Sequence, residues 1–252
     1  MSKLEKKSVY KKINILITRP EKDSKNFLRL LDKEKFKFFI SPLLKIKKNK
    51  YNFDEKSRYD FVLFTSKNGV LNFNHDFRGR KVIVIGDGTY SLLQNMGITN
   101  VINVNGNLES LKEKIKPLLK KKMNILHPTS SNFNQDLKNF FFSQGCFYHP
   151  ICCYKSIMVN SNLEIFKNFF NLHSSGLVAL FSRRTAISFK KEILKLGFHE
   201  KIKNKKILVL SEAIAEELKG FSFKEIFISK EFNEEGMINL IKEISEKEES
   251  VV

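Results

Sequence analysis

The sequence predicts an α/β protein with two similar doubly wound parallel-sheet domains, and three observations support this prediction. Five short runs are almost continuously apolar, as expected for strands buried on both faces of a parallel sheet: NILIT, VLFT, VIVIG, VALF and ILVLS. A polar stretch follows each run, and then a segment with apolar residues at three- and four-residue steps, which is typical of an amphipathic crossover helix. The third observation is that the chain repeats itself.

The repeat matches segments of one half of the chain with segments of the other. In the second of the pairs given below, Phe64 is set opposite Phe181. Because strands and helices recur in the same order, the repeat predicts two sheets of similar topology. The matched pairs are NILITRP (14–20) with NILHPTS (124–130), VLFTSKNGV (62–70) with VALFSRRTAI (178–187), KVIVIGDGTYSLLQNMGI (81–98) with KILVLSEAIAEELKGFSF (206–223), and VINVNGNLESLKEKI (101–115) with IFISKEFNEEGMINLIKEI (226–244).

Length and cysteine content limit the class of protein. The 252 residues suffice for one large domain or two small ones. No apolar run approaches the roughly 18 residues that span a bilayer, and the N-terminus lacks the apolar region of a signal peptide. Cys146, Cys152 and Cys153 are odd in number and the five histidines are scattered. We therefore expect a cytoplasmic protein without a disulfide framework or a metal site.

The formal net charge of +18 has two interpretations. A chain rich in Lys, Asn, Ile and Phe and without Trp is typical of an AT-biased genome, which raises the lysine content of any solvated surface. Alternatively, the charge serves an anionic partner, either a nucleic acid or a ligand with several carboxylates or phosphates. Charge alone does not decide between them.

Polar loops follow the predicted strands, where open parallel sheets bind their ligands. Helices that begin there offer free backbone N–H groups to carboxylate or phosphate. Any single loop of this kind is explained by helix capping, but six of them in two matching domains favour capture of a polyanion. The loops are Thr18-Arg19-Pro20, Thr65-Ser66-Lys67-Asn68, Gly86-Asp87-Gly88-Thr89, Pro128-Thr129-Ser130-Ser131, Ser182-Arg183-Arg184-Thr185 and Ser211-Glu212-Ala213.

Several enzyme signatures are missing from the sequence, and a few reactive side chains need an interpretation. The chain has no complete dinucleotide fingerprint, no phosphate-binding P-loop and no G-x-S-x-G elbow. We interpret His127 and His149 as loop histidines, and Cys152 and Cys153 as small buried hydrophobic residues. Tyr154, in ICCYKS, either packs between the domains or faces a cleft as a weak acid or hydrogen-bond donor.

Four segments together resemble the uroporphyrinogen-III synthase family. They are ILITRP, FTSKNGV, VIVIGDGTYSLLQNMG and ICCYKS, which stand in the family's order over nearly the whole chain. Each motif alone is loose, but their order and spacing make the match specific. The stretches FSRRTA and LSEAIA are similar to the form found in an alphaproteobacterial branch.

The resemblance implies two α/β domains with a cleft between them. One domain would comprise residues 1–42 and 157–252 and the other residues 49–149, joined by linker strands at 43–48 and 150–156. The implied reaction is cyclisation of hydroxymethylbilane, a linear tetrapyrrole with eight carboxylates, with inversion of ring D and loss of water, without metal or cofactor. The substrate would be the only ligand, with no nucleic acid and no membrane. We expect a monomer, with a transient contact to the preceding pathway enzyme as an option.

The resemblance also assigns roles to residues. Tyr154 matches the family tyrosine and would assist departure of the hydroxyl, while Thr89 would orient a carboxylate or an intermediate. The family's threonine after the last core strand is replaced by Ile214. We therefore hypothesise that an arginine pair, which departs from the commoner family pattern, compensates with charge-assisted contacts. The expected substrate-binding residues are Arg19, Thr65, Ser66, Lys67, Asn68, Gly86, Pro128, Ser182, Arg183, Arg184, Thr185 and Ser211.

Two other functions stay open at this point. A non-catalytic two-domain binder of an anionic metabolite would use the same loops. A nucleic-acid binder is third, because the basic residues are scattered and the aromatic residues lie in apolar runs rather than on a stacking surface.

Overall fold

A computed structural model describes residues 12–104, 106–131, 133 and 135–249. Contacts divide the chain into two compact units. Unit 1 contains the residues up to Lys45 and those from Met158 onwards, and unit 2 contains Ile46–Ile157. In the described residues, no helix combines the length and apolar character that crossing a membrane requires.

The elements alternate between strand and helix along most of the chain. The first part contains β1 (Ile13–Ile17), α1 (Glu21–Leu28), β2 (Phe36–Ile40), β3 (Leu44–Lys48), β4 (Phe61–Phe64), α2 (Lys67–Asn72), β5 (Lys81–Ile85), α3 (Asp87–Asn95), β6 (Val101–Val104), α4 (Leu108–Ile115), a 3-10 turn (Lys116–Leu118), β7 (Asn124–Ser130) and α5 (Gln135–Ser143). The second part contains β8 (Phe147–Met158), α6 (Leu163–Phe170), β9 (Gly176–Leu180), α7 (Arg183–Leu196), β10 (Lys206–Val209), α8 (Glu212–Glu216), β11 (Glu225–Ile228) and α9 (Glu234–Glu249).

Unit 1 contains a five-stranded parallel sheet with the order β11-β10-β9-β1-β2. Alternate residues of the central strand β1 enter different cores because side chains alternate across a sheet. Leu16 packs with the aromatic residues of α6 and α7, whereas Ile15 and Ile17 pack with α1 and α9. All three side chains are fully buried. The continuous apolar run of β1 therefore follows from helices that cover both faces.

Unit 2 is built on a six-stranded sheet with the order β3-β8-β7-β4-β5-β6. The strands from β4 to β8 pair in parallel. β3 runs against β8, because Asn49 N–H donates to the carbonyl of Cys153 and Val159 N–H donates to that of Leu43. β8 is a single strand that continues through residues 150–156, so this segment belongs to the sheet and also forms the ladder with β3.

The predicted duplication is confirmed by the strand orders of the two sheets. The order β2-β1-β9-β10-β11 in unit 1 corresponds, strand for strand, to β8-β7-β4-β5-β6 in unit 2. This correspondence pairs β1 with β7, β9 with β4, and β10 with β5, as the sequence repeat predicts. The predicted doubly wound α/β fold is therefore confirmed as well.

One detail of the repeat alignment is wrong by one residue. Phe64 is the register partner of Val84, and in unit 1 the residue opposite Val209 is Leu180, not Phe181. The alignment of Phe64 with Phe181 matched two similar side chains at different positions of their strands. The correct register sets Ser66 against Ser182, and Lys67 against the first arginine of the pair.

Candidate functional site

The loop after β4 begins α2 with a serine cap. Ser66 is the N-cap, and its Oγ accepts a hydrogen bond from Gly69 N–H at 3.3 Å. A Cβ on Gly69 would lie 2.6 Å from the carbonyl oxygen of Pro128 in β7. Glycine at this position therefore lets the first turn of α2 approach the β7 backbone, which fixes Ser66 and Lys67 beside the end of the sheet.

Tyr154 joins this loop through its hydroxyl. Its Oη lies 2.9 Å from Oγ of Ser66, and the residue is only 8% exposed. Burial raises the pKa of the phenol above its usual value, while hydrogen bonds from Ser66 and Ser130 act in the opposite direction. The phenol therefore stays protonated at neutral pH, which makes it a hydrogen-bond donor rather than a base.

Lys67 lies against the first turn of the next helix. A Cβ on Gly88 would stand 2.5 Å from Cε and 2.8 Å from Nζ of Lys67. Gly86 caps α3 with a φ of 83°, which glycine adopts without strain. Thr89, buried in the same turn, donates its N–H to the carbonyl of Gly86. A cation thus meets the positive end of a helix, an arrangement that favours an anionic ligand.

His127 is not a loop histidine, contrary to the prediction. It lies in β7 and is 1% exposed. Its Nε2 lies 3.0 Å from Oγ1 of Thr65, and its Nδ1 lies 2.5 Å from the hydroxyl of Tyr148. Burial lowers the pKa of the imidazole to about 3, so the ring is neutral at physiological pH.

Pro128 was also placed in a loop by the sequence, but it is buried inside β7. The pairing of β7 with β4 ends at Leu126, whereas the pairing with β8 continues to Ser130. A proline has no N–H to donate, and it is tolerated there because β7 is no longer paired with β4 at this position. As a buried strand residue, Pro128 contributes to this site through its carbonyl contact with α2.

The remaining predictions for β8 are confirmed only in part. His149 also lies in a strand, β8, with Nε2 3.0 Å from Oδ1 of Asn124, so the loop interpretation is wrong here too. Cys153 is buried, as predicted, and burial raises the pKa of its thiol to about 12. Cys152 is only half-buried.

In unit 1, Ser182 occupies the position of Ser66. It caps α7 by accepting a hydrogen bond from Thr185 N–H at 3.2 Å, and its hydroxyl lies 2.8 Å from that of the buried Thr185. Arg183 is exposed and forms an ion pair at 2.5 Å with Glu217, the residue that follows α8. Arg184 is half-buried in the first turn of α7.

Arg19 follows β1 and is committed to contacts within unit 1. Its Nη1 lies 2.5 Å from a carboxylate oxygen of Glu234, and its guanidinium carbon lies 4.4 Å from the centre of the Phe181 ring. Part of its donor capacity is therefore used by Glu234. Ser211 is the N-cap of the short helix α8, without a hydrogen bond from its side chain to that helix.

In each unit most of the predicted residues follow neighbouring parallel strands and so lie along the same edge of its sheet; each set is called a cluster below. In unit 2, Asn68 lies in the first turn of α2 beside Lys67 and accepts a hydrogen bond from Asn72 at its carbonyl. Among the described residues, no group of three His, Cys, Asp or Glu side chains is placed to hold a metal ion. The unit 2 cluster contains Thr65, Ser66, Lys67, Asn68, Gly86, Thr89 and Tyr154, and the unit 1 cluster contains Arg19, Ser182, Arg183, Arg184, Thr185 and Ser211.

Sequence reasoning did not assign to the site two residues that adjoin the unit 2 cluster, His127 and Tyr148. The repeat alignment contained the signal for the histidine. It sets His127 opposite Ile17, which is fully buried in the core of unit 1. A histidine in a buried strand position needs hydrogen-bond partners for its ring nitrogens.

The fold and these clusters define a class of protein, the two-unit doubly wound α/β proteins whose strand ends carry hydroxyl and cationic side chains. Residues 25–239 match the model of the family described as uroporphyrinogen-III synthase HemD. The chain belongs to the uroporphyrinogen-III synthase family, as the sequence motifs predict. It is accordingly a hydro-lyase of tetrapyrrole biosynthesis. The narrower resemblance to an alphaproteobacterial branch stays a prediction.

Individual relatives agree with this assignment. A Methanocaldococcus jannaschii protein, provisionally named as a uroporphyrinogen-III synthase, is 29% identical over 93% of this chain and 100% of its own length. The uroporphyrinogen-III synthetase of Helicobacter pylori superposes with a TM-score of 0.63 at 15% identity, covering 93% of this chain and 100% of that one. A mutant uroporphyrinogen III synthase from the extremely thermophilic bacterium Thermus thermophilus gives a TM-score of 0.54 at 12% identity, covering 94% and 99%. Both structural likenesses show the fold.

Proposed function

We propose that the unit 2 cluster takes part in the cyclisation of hydroxymethylbilane, with inversion of ring D and release of water. The family's function implies this linear tetrapyrrole as the substrate. The observation that carries the proposal is the hydrogen bond between Tyr154 and Ser66 beside Lys67 and the first turn of α3. It combines a protonated phenol with a site suited to carboxylate.

In this proposal, Tyr154 assists the departure of the hydroxyl group. The C–O bond of the hydroxymethyl group breaks, and the phenolic proton moves to the leaving oxygen, which departs as water. The electrons of the adjacent pyrrole stabilise the methylene carbon that remains. A phenol that burial keeps protonated is suited to this step, since it donates only as charge develops on the oxygen. Ser66 orients the phenol.

The choice of product depends on orientation. The unassisted bilane closes at the unsubstituted carbon of ring D, without inversion. Attack from the substituted carbon instead forms a new C–C bond to the methylene carbon and gives a spiro intermediate. The older bond between ring D and its bridging methylene then breaks and re-forms at the unsubstituted carbon, which loses its proton. Holding the chain in the conformation that permits this attack is an entropy trap. We assign this holding function to the donors that face carboxylates, with Thr89 and Lys67 in unit 2.

The unit 1 cluster supplies further carboxylate contacts in this proposal. Arg184 is the leading cation there, because it stands half-buried in the first turn of α7, where the backbone N–H groups of the helix also favour an anion. The interdomain cleft that the resemblance implies stays a prediction. We further propose a cytoplasmic monomer, which the three free thiols support because reduced cysteines persist in that compartment. A transient contact with the preceding pathway enzyme remains an option of this proposal.

The proposal is tested by product analysis. Purified protein is mixed with freshly prepared hydroxymethylbilane, the products are oxidised, and type I and type III isomers are separated. We expect type III as the main product, and type I only in a control with heat-inactivated protein. Type I product alone from the active preparation would reject catalysis and favour a non-catalytic binder of anionic metabolites.

A further inference from the structure

His127 joins two side chains from different strands of unit 2. Thr65 follows β4, and Tyr148 lies in β8, on the other side of β7. The imidazole bonds to both, with Nε2 on Thr65 and Nδ1 on Tyr148. The mechanism proposed above does not use this histidine, although it is almost fully buried and contacts the cluster through Thr65.

The direction of these two hydrogen bonds follows from the partners available. Among the described residues, His127 is the only hydrogen-bond partner of the Tyr148 hydroxyl. A phenol always carries a proton at neutral pH, and burial raises the pKa of Tyr148 further. Among the described residues, that proton finds an acceptor only at Nδ1. A neutral imidazole with an acceptor at Nδ1 carries its own proton on Nε2, so Nε2–H donates to Thr65.

This direction determines what the Thr65 hydroxyl can do. His127 is likewise its only partner within the described part of the chain. If Oγ1 accepts from Nε2–H, the hydroxyl proton of Thr65 remains to be donated elsewhere. In the opposite tautomer Nε2 is an acceptor, so the Thr65 hydroxyl would donate its proton to Nε2. Only the lone pairs of Oγ1 would then face a ligand, and lone pairs repel a carboxylate. Thr65 is half-buried and adjoins Ser66 and Lys67, where the substrate is proposed to bind.

We propose that His127 is a positioning residue, which Tyr148 holds with its proton on Nε2 so that Thr65 donates its hydroxyl proton to a carboxylate oxygen of the substrate. The substrate part of this inference rests on the proposed function. The chain of hydrogen bonds from Tyr148 through His127 to Thr65, called the relay below, is a property of the free protein and does not depend on catalysis.

The tautomer is measured directly by NMR. Protein labelled with ¹⁵N-histidine gives two-bond proton–nitrogen correlations that distinguish a protonated Nε2 from a protonated Nδ1. The signal of His127 is identified by its loss in His127→Gln. We expect the proton on Nε2 at pH 7, with no change to the charged form down to pH 5. A proton on Nδ1, or a doubly protonated ring at pH 7, would overturn the proposal.

Kinetics provide the second measurement, with three variants that keep the shape of the side chains. Tyr148→Phe removes the phenolic donor and Thr65→Val removes the hydroxyl. Each is expected to raise KM for hydroxymethylbilane about ten-fold while kcat changes less than about three-fold, as for loss of a hydrogen bond to a charged group. The double variant is expected to match either single variant rather than to multiply their effects. Fully multiplicative effects would show that Tyr148 and Thr65 act independently, and would contradict the relay.

A control separates the relay from general loss of a phenol. Tyr59→Phe removes another tyrosine hydroxyl of unit 2, whose ring stacks on Phe53, and is expected to leave KM unchanged. If the wild-type protein formed only type I product, the proposed function would fail, while the NMR result would still decide the tautomer. Conversely, type III product together with a proton on Nδ1 would reject only the relay.

Discussion

The hydroxyl of Ser66, the N-cap of α2, contacts both the N–H of Gly69 in that helix and the phenol of Tyr154 in β8. Ser66 therefore both caps α2 and positions Tyr154, the proposed general acid. Helix capping alone would explain the serine, as it does for Ser182 in unit 1. What distinguishes Ser66 from Ser182 is its hydrogen bond to the phenol of Tyr154.

Tyr154→Phe is expected to lower kcat at least about 100-fold, because it removes the group that donates to the departing hydroxyl. The ring remains, so the loss of stability should be close to that of one hydrogen bond, about 1 kcal/mol. Stopped assays for type III product and urea unfolding check the two values. Tyr59→Phe serves as the matched variant. Near-complete turnover in Tyr154→Phe would leave the tyrosine with a packing function only.

Arg184→Ala is expected to raise KM for hydroxymethylbilane about ten-fold, because a charge-assisted contact to a carboxylate would be lost. Lys195→Ala removes one positive charge from the last turn of the same helix, α7, and controls for net charge. We expect it to change KM less than about two-fold, since an exposed charge at that end contributes little. An unchanged KM in Arg184→Ala would end the hypothesis that the arginine pair compensates for Ile214.

Gly88→Ala and Gly69→Ala should separate binding from stability. The new methyl group at residue 88 meets only the flexible end of Lys67, so we expect a stable protein with KM raised several-fold. At residue 69 the methyl group meets the carbonyl of Pro128, which is backbone, and the free energy of unfolding should fall by about 1–3 kcal/mol. Urea unfolding and KM are measured for both variants. A destabilised Gly88→Ala with normal KM would contradict the placement of Lys67.

The buried His127 predicts a specific loss of stability in acid. Its pKa in the folded protein is lowered to about 3 from an ordinary value of 6.5, so the unfolded chain binds more protons between these values. Stability is therefore complete above about pH 6.5 and falls as the pH decreases towards 3, by up to about 1.4 kcal/mol per pH unit. In His127→Gln this contribution to the slope should disappear.

Urea unfolding of both proteins at a series of pH values from about 7 down to about 4.5 measures that difference in slope. Carboxylates contribute equally to both proteins and cancel in the comparison. Parallel curves would show that His127 does not take up a proton on unfolding in this range.

The fold was predictable because its strands are buried on both faces, which leaves an unbroken apolar run such as VIVI in the sequence. The sequence repeat then predicted which strands of unit 1 correspond to which strands of unit 2. The exact register was not predictable, since Phe64 and Phe181 look alike in sequence although Phe181 stands one position beyond the strand end. A similar side chain in the two halves does not show at which residue the pairing of a strand ends.

Residues of the site were predictable where they begin helices, and not where they come together across strands. Ser66 and Ser182 follow apolar runs and could be identified as strand-end residues. His127 was misinterpreted because the proline after it suggested a loop, whereas the pairing of β7 with β4 ends just before it and so admits a proline. Its two partners lie 62 and 21 residues away in sequence, and only the folded sheet joins them.

The order of the strands also affects when each unit can fold during translation. Unit 2 is one continuous segment, so all of its parallel strands exist once residue 158 has been made. In unit 1, by contrast, β1 lies between β2 and β9, and more than half of the chain separates β1 from β9. β1 must therefore keep one hydrogen-bonding edge unoccupied until β9 has been synthesised. Unit 2 can fold within that interval, which makes the inserted unit the earlier one to complete.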